Sequence, residues 1–125
     1  MYCLDSDIII DFLGGKRDAA TLLNLPAGQM CTTVLNMQEV LLGFTPESEG
    51  ERRAAAFFQR MQILPYTDKT VQNVLAIKRT LQKSGSSTGA IDEIIAGICI
   101  TNETTLITRN AKHFKKIKGL KTMFL

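Results

Sequence analysis

Three acidic residues, Asp5, Glu39 and Asp92, occupy positions that ordinary structural roles explain poorly. Asp5 directly follows an apolar segment, residues 2–4, that is typical of a short strand. Asp7 is the better candidate to cap the helix that begins at Ile8, which leaves Asp5 available for chemistry. The alternative, that Asp5 is itself the helix cap, stays open.

Glu39 falls on a helix face that the apolar spacing predicts to be buried. Leu35 lies four residues before it and Leu42 three residues after it, so we expect the carboxylate to face the core. Burying a carboxylate is costly unless it is paired or coordinated. A salt bridge, or a side chain that reaches the rim, is the structural alternative to a functional role.

Asp92 opens a strongly apolar helix, where the helix dipole alone would favour an acid. Ile95 and Cys99 follow it at i+3 and i+7, so we expect Asp92 to lie along an inward-facing stripe. Glu93 points about 100° away on the same helix and is expected to be partnered or exposed.

Carboxylates at such positions repel one another unless a cation gathers them. A ligand set of oxygen atoms alone points to Mg²⁺ or Mn²⁺, and the single histidine, His113, cannot build a zinc site. A divalent ion held by carboxylates beside basic residues is suited to phosphodiester hydrolysis. Residues 109–121 include six basic residues and no acid, which fits either a solvated face or a phosphate-binding patch.

Short apolar segments alternate with helix-like periodicity along the whole chain. We predict strands at residues 2–4, 29–32, 62–64, 105–107 and 120–124. We predict helices at residues 8–13, 17–25, 34–43, 46–60, 68–83 and 90–101, with Asp68 capping the fifth and Val71, Val74, Leu75 and Leu81 on its apolar face. This alternation predicts a parallel α/β sandwich with helices on both faces, whose site lies at the carboxyl ends of strands.

The 125 residues, 45% hydrophobic and 22% charged, predict one globular domain over residues 1–125. No apolar run is long enough to span a bilayer, and the N-terminus does not resemble a signal peptide. The three cysteines are expected to be buried free thiols. We therefore expect a cytoplasmic protein.

Four segments, in order, resemble the motifs of PIN domains, especially those of VapC-type toxins. They are residues 2–13 (YCLDSDIIIDFL), 33–43 (TVLNMQEVLLG), 92–97 (DEIIAG) and 105–114 (TLITRNAKHF). Each motif alone is weak, whereas four in sequence in a chain of this length are specific. The resemblance implies a three-layer sandwich with a central, mostly parallel five-stranded sheet. It further implies a Mg²⁺- or Mn²⁺-dependent endoribonuclease that forms homodimers and is inhibited by a cognate antitoxin.

The resemblance also implies a role for each site residue. Asp5, Glu39 and Asp92 become metal-binding and catalytic carboxylates, Asn110 a catalytic neutral ligand or hydrogen-bond donor, and Thr108 a supporting residue. The basic residues Arg109, Lys112, Lys115 and Lys116 become candidates for RNA binding.

The chain departs from the fullest family pattern at two positions. Asn110 occupies the fourth acidic position, and His113 replaces the Asp that many relatives have before the Phe. With fewer negative charges, we expect one tightly held metal ion before RNA binds rather than two of similar affinity.

Three other functions stay open. A non-catalytic RNA-binding domain of the same fold would keep the basic residues but lose metal dependence. A receiver-like signalling domain would need an Asp at the end of the third strand, where Pro65 follows Leu64. A structural partner protein would bind neither metal nor RNA. The apolar Phe57, Phe58 and Met61 fit either an antitoxin-facing surface or the core.

Overall fold

The central element of the protein is one five-stranded parallel sheet. The computed structural model describes residues 1–20 and 24–125. The strands are β1 (Tyr2–Leu4), β2 (Met30–Thr33), β3 (Gln62–Leu64), β4 (Thr105–Thr108) and β5 (Lys121–Phe124), in the spatial order β3-β2-β1-β4-β5. Every neighbouring pair is parallel, so the predicted fold class is confirmed.

Helices connect these strands and cover both faces of the sheet. They are α1 (Ser6–Leu13), α2 (Arg17–Ala20), α3 (Val34–Leu42), α4 (Glu49–Gln59), α5 (Asp68–Lys83), α6 (Ala90–Thr101) and α7 (Ala111–Phe114). Of the helix predicted at residues 17–25, α2 covers the first part and residues 21–23 lie outside the described residues. In the described ranges, no helix combines the length and apolar character needed to cross a membrane.

Alternating side chains of the strands build a separate core on each face, as the pleat of a strand requires. Cys3 and Leu106 contribute to the core beneath α5 and α6, whereas Leu4 and Ile107 contribute to the core beneath α1, α3 and α4. The predicted three layers are therefore confirmed. The three cysteines are buried free thiols, as expected.

The apolar face of α5 differs from the predicted one. Thr67, rather than Asp68, is the N-cap, and its hydroxyl accepts a hydrogen bond from the backbone N–H of Thr70. Val71 and Leu75, predicted to be packed, are 37% and 39% exposed. Leu81 is buried as predicted, and Val74 lies against α6 at Gly97. Thr70 and Ile77 complete the packed face, because the stripe that contacts α6 passes to one side of the exposed Val71 and Leu75.

The apolar pair in α4 belongs mainly to the core. Phe58 is 5% exposed, so of the two alternatives left open for it the core is the one that holds. Phe57 and Met61 are partly buried and pack against the same core. Ser48 caps α4, which begins three residues later than predicted because Pro46 and Glu47 precede the cap.

The strand order creates a crevice at one edge of the sheet. From β1 the chain proceeds to β2 and β3 on one side, and it returns to β4 and β5 on the other. The order therefore reverses between β1 and β4, where ligands bind in open α/β sheets. Asp5 directly follows β1, and its backbone N–H donates to the carbonyl of Ile107 at 3.0 Å.

Candidate metal centre

Asp5 is buried at this crevice, and three donors hold its carboxylate. Oδ1 accepts from the backbone N–H of Ser6 at 2.9 Å and from the amide nitrogen of Asn36 at 2.8 Å. Oδ2 accepts from the Thr108 hydroxyl at 2.6 Å. Asp5 is also the N-cap of α1, so the assignment of the cap to Asp7 is wrong. One carboxylate therefore begins the helix and faces the crevice.

Thr108 ends β4 directly beside Asp5, as expected from its position after the strand. Its side chain is buried, and its Oγ1 accepts from the backbone N–H of Asn110 at 3.0 Å. Since that N–H can only donate, the hydroxyl hydrogen of Thr108 points to Asp5. The predicted supporting position of Thr108 is present, while its contribution to catalysis stays a prediction.

Glu39 reaches the same edge from α3, but it is exposed rather than buried. The core-facing residues of α3 are Asn36 and Val40, and Leu42 is 75% exposed. The stripe through Leu42 therefore does not face the core, and the prediction that Glu39 is buried was wrong. Glu39 is nevertheless held at the crevice, because its Oε1 accepts from the Ser6 hydroxyl at 2.9 Å.

Asp92 is held by a histidine that the sequence offered only as a departure from the family pattern. The Asp92 side chain is 23% exposed, and its Oδ2 lies 2.7 Å from Nδ1 of His113. Asn110 turns its side-chain nitrogen to the same Nδ1 atom at 2.9 Å. An imidazole nitrogen cannot both donate to Asp92 and accept from Asn110, so the tautomer selects one of these bonds.

A fourth carboxylate, Asp7, lies next to this group. Its Oδ2 accepts from the backbone N–H of Arg109 at 3.1 Å, while its Oδ1 is buried with no hydrogen-bond partner. Burial raises the pKa of Asp7, and the neighbouring charge of Asp5 raises it further. Asp7, which the sequence indicated only as a helix cap, therefore lies against this group of acids.

The predicted acids interact electrostatically. Burial raises the pKa of Asp5, the hydrogen bonds from Thr108, Ser6 and Asn36 oppose that rise, and the charge of Asp92 adds to it. Although Glu39 is exposed, partial desolvation where it meets the crevice raises its pKa, the hydrogen bond from Ser6 opposes that rise, and the charges of Asp5 and Asp92 add to it. The charges of Asp5 and Asp92 therefore lie close enough to Glu39 to hinder its ionisation, and the charge of Asp92 also hinders that of Asp5.

These residues fit a hard divalent cation by chemistry, although they do not form a finished cage. The donors are oxygen atoms, and Asp7, whose charge state responds to Asp5, adds a buried Oδ1 that has no hydrogen-bond partner. Among the residues that the structure describes, no group of three or more His, Cys, Asp or Glu is already arranged to hold a metal ion. Hydrogen bonds to Ser6 and His113 hold Glu39 and Asp92 at the rim instead.

The basic residues after β4 do not form one patch. Lys121 pairs with Thr105 at the start of the parallel strands, whereas Phe124 pairs with Thr108 at their carboxyl ends. Lys121 therefore lies at the edge opposite the acids. The single phosphate-binding patch considered for residues 109–121 is wrong, because the chain crosses the sheet within that segment.

The four residues predicted to bind RNA have different surroundings. Arg109 is ion-paired with Asp11 at 2.6 Å and with Asp18 at 2.8 Å. Lys112 is exposed on α7, and the Nζ of Lys115 lies 5.7 Å from the ring centroid of Phe124 at the carboxyl edge.

Lys116 lines a cavity of about 160 Å³ together with Ile100. Ile100 lies eight residues after Asp92 on α6, which is about 12 Å along the helix axis. Lys112 and Lys115 are therefore the better placed candidates, and all four assignments stay predictions.

We expect added Mn²⁺ to raise the melting temperature more at about pH 8 than at about pH 5. The pKa values of Asp5 and Glu39 are raised above their ordinary values of 3.8 and 4.5. In the pH window just above those ordinary values, the folded protein therefore keeps protons that the unfolded chain has lost. Without metal, the contribution of these acids to stability falls as the pH rises through that window, whereas a cation binds their ionised forms. Circular dichroism melts with and without MnCl₂ measure the difference, and an equal gain at both pH values would contradict it.

Comparison with known proteins agrees with this architecture. The sequence profile described as PIN domain matches residues 2–120, so the chain belongs to the PIN-domain family. It is 30% identical over 127 residues to ribonuclease VapC2 of Haemophilus influenzae, covering 97% of this chain and 95% of that protein. It is 26% identical over 125 residues to the tRNA(fMet)-specific endonuclease VapC of Shigella flexneri, covering 97% and 95%.

Solved structures show the same fold. DNA-bound VapBC from Salmonella typhimurium gives a TM-score of 0.85 at 23% identity, over 98% of this chain and 96% of that one. A toxin–antitoxin complex from Klebsiella pneumoniae gives 0.81 at 23% identity, over the full length of both chains. These likenesses establish the layered parallel sheet.

Proposed function

We propose that the chain is a divalent-metal-dependent endoribonuclease and the toxin of a toxin–antitoxin pair. The observation that carries the proposal is the buried Asp5 carboxylate at the crevice between β1 and β4, coupled electrostatically to Asp92. The names of the VapC relatives support RNA as the substrate class. The toxin–antitoxin complex among the structural neighbours supports an antitoxin partner, and the family supports a cytoplasmic homodimer.

In this proposal Asp5, Glu39 and Asp92 hold Mg²⁺ or Mn²⁺. Such an ion, when bound, lowers the pKa of a coordinated water and neutralises charge on the phosphate. Thr108 keeps Asp5 oriented through its 2.6 Å hydrogen bond, and Asn110 presents an uncharged side chain beside Asp92. Lys112 and Lys115 contribute positive charge that favours the RNA backbone.

A second candidate is a PIN-like domain that binds RNA without cleaving it. Two observations favour it: Asn110 replaces an acid, and Asp92 is bonded to His113 rather than gathered with the other carboxylates. This candidate predicts RNA binding that does not depend on a divalent ion.

One experiment separates the two candidates. Purified protein is incubated with total tRNA and with a structured control RNA, in MnCl₂, in MgCl₂ or in EDTA. We expect cleavage at discrete sites with either metal, no cleavage in EDTA, and recovery when Mn²⁺ is restored. Binding without cleavage in a gel-shift assay would favour the second candidate, and cleavage that persists in EDTA would contradict a metal mechanism.

A further inference from the structure

Asn36 is a fully buried polar residue that lies between two of the proposed metal-binding acids. Its side-chain nitrogen donates to Oδ1 of Asp5 at 2.8 Å and to Oγ of Ser6 at 2.9 Å. Its side-chain oxygen accepts from the Thr33 hydroxyl at 2.7 Å. Because Asn36 lies three residues before Glu39 on α3, both side chains point toward the same edge.

The chemistry of these groups fixes the direction of each hydrogen bond. The backbone N–H of Asn36 donates to Oγ1 of Thr33 at 3.1 Å, so the hydroxyl hydrogen of Thr33 is left for the Asn36 oxygen. The amide is then oriented with its nitrogen toward Asp5 and Ser6. Ser6 accepts from that nitrogen, so its own hydrogen goes to Oε1 of Glu39 at 2.9 Å.

We infer that Asn36 is a positioning residue for the proposed reaction: it holds Asp5 directly and Glu39 through Ser6, both as hydrogen-bond acceptors. We call the connected side chains of Thr33, Asn36 and Ser6 the Asn36 relay. The inference rests on the proposed function, since it concerns the same acids. A carboxylate that accepts a hydrogen bond is favoured in its charged form, and that is the form that binds a cation.

Asparagine meets a requirement here that few other side chains meet. Its one nitrogen carries the two hydrogens that reach Asp5 and Ser6, while its oxygen accepts from Thr33. Leucine has a similar size but donates nothing, and an ionised aspartate would place a negative charge against Asp5. The stability of the fold would require only that the buried amide find hydrogen-bond partners. It would not require that one hydrogen bond Asp5 and the other bond Ser6, which in turn holds Glu39.

The test is the affinity for Mn²⁺, measured from the electron paramagnetic resonance signal of the free ion, in full-length variants. We expect Asn36→Leu to weaken Mn²⁺ binding by about 10- to 100-fold, the loss typical when a group that orients a metal ligand is removed. Ser6→Ala should cause a smaller loss and tests the branch to Glu39 without opening a core position. In the double variant the two losses should combine to less than their product, because both act through one network.

Thr32→Val is the matched control. Thr32 is buried beside Thr33 on β2, and its hydroxyl donates to the backbone carbonyl of Leu4 at 2.7 Å rather than to an acid. We expect it to lower the melting temperature while leaving the Mn²⁺ affinity at the wild-type value. Wild-type affinity in both Asn36→Leu and Ser6→Ala, or an equal loss in Thr32→Val, would overturn the inference. Wild-type protein that binds Mn²⁺ but does not cleave RNA would overturn the proposed function alone.

Discussion

Asp5→Asn is expected to lower metal-dependent RNA cleavage by at least about 100-fold, because loss of a group that merely orients a metal ligand already costs about 10- to 100-fold. Asparagine keeps an oxygen that can accept from Ser6 and Asn36, and its amide nitrogen replaces Oδ2, where the Thr108 hydroxyl must accept instead of donate. The change in shape at the crevice should therefore be small. What disappears is the negative charge. The measurement is the initial rate of cleavage at saturating Mn²⁺ together with the Mn²⁺ affinity.

The same substitution should not destabilise the metal-free protein near neutral pH. Burial raises the pKa of Asp5, so its ionised form is disfavoured in the folded state, and removing the charge removes that penalty. We expect a melting temperature equal to or above that of the wild type. Loss of activity without loss of stability is expected for an acid that is needed for function and that lowers the free energy of unfolding.

Asp68→Asn provides the control for Asp5→Asn. Asp68 is an exposed carboxylate in the first turn of α5, on a different element from the acids of the crevice. It should keep wild-type cleavage and Mn²⁺ affinity. If Asp68→Asn lost as much activity as Asp5→Asn, or if Asp5→Asn cleaved RNA normally, the assignment of Asp5 as a metal-binding acid would be wrong.

Asp5 was found from the sequence because its signal is local: an acid follows a short apolar strand. The sheet followed from the same kind of signal, since strands such as Gln62–Leu64 appear as apolar segments between turn and helix signals. A parallel sheet brings the carboxyl ends of strands together whatever the details of packing. The position of Asp5 beside Thr108 was therefore predictable before any distance was known.

Burial on individual helices was less predictable, because short apolar spacings fit more than one stripe. On α3 the pair Leu35 and Leu42 suggested a buried Glu39, whereas Asn36 and Val40 are the residues that face the core. The error arose from giving Leu42 a core position. A buried polar residue has no hydrophobic signature, and only its position three residues before Glu39 indicated a shared face.

Partners that are distant along the chain were also outside the reach of sequence patterns. No sequence pattern marked Ser6 as part of the site, yet its hydroxyl holds Glu39, which lies 33 residues away. His113 was considered only as a replaced acid, yet it bonds Asp92 across 21 residues. Such contacts depend on how α3, α6 and α7 are oriented on the sheet, and apolar periodicity does not determine those orientations to the accuracy of a hydrogen bond.

Lys78→Met is expected to destabilise the protein by about 2–4 kcal/mol, close to the cost of breaking a buried ion pair and reduced because the lysine is partly solvated. Glu93 is 1% exposed, and its carboxylate oxygens lie 3.0 and 3.2 Å from Nζ of Lys78. Removing the cation leaves a charge buried between α5 and α6 without its partner. Urea unfolding followed by circular dichroism measures the change in the free energy of unfolding.

Two further variants make this prediction specific. Arg79→Met removes an exposed cation from the next position of α5 and should change stability by at most about 0.5 kcal/mol. Lys78→Met combined with Glu93→Leu replaces the pair by apolar side chains and should recover most of the lost stability. If the double variant were as unstable as Lys78→Met, lost packing rather than the unpaired charge would cause the effect.

The ion pair also determines which of two adjacent acids serves the crevice. Glu93 was predicted to be either paired or exposed, and it is paired with Lys78. It is also the more buried of the two acids, whereas Asp92 lies at the rim of the crevice. Successive residues of a helix differ by about 100° in direction, so fixing Glu93 against Lys78 fixes the rotation of α6 and therefore the direction of Asp92. Lys78→Met should therefore weaken Mn²⁺ binding as well as stability, whereas a pair that only stabilises the fold would leave the Mn²⁺ affinity of the folded protein unchanged.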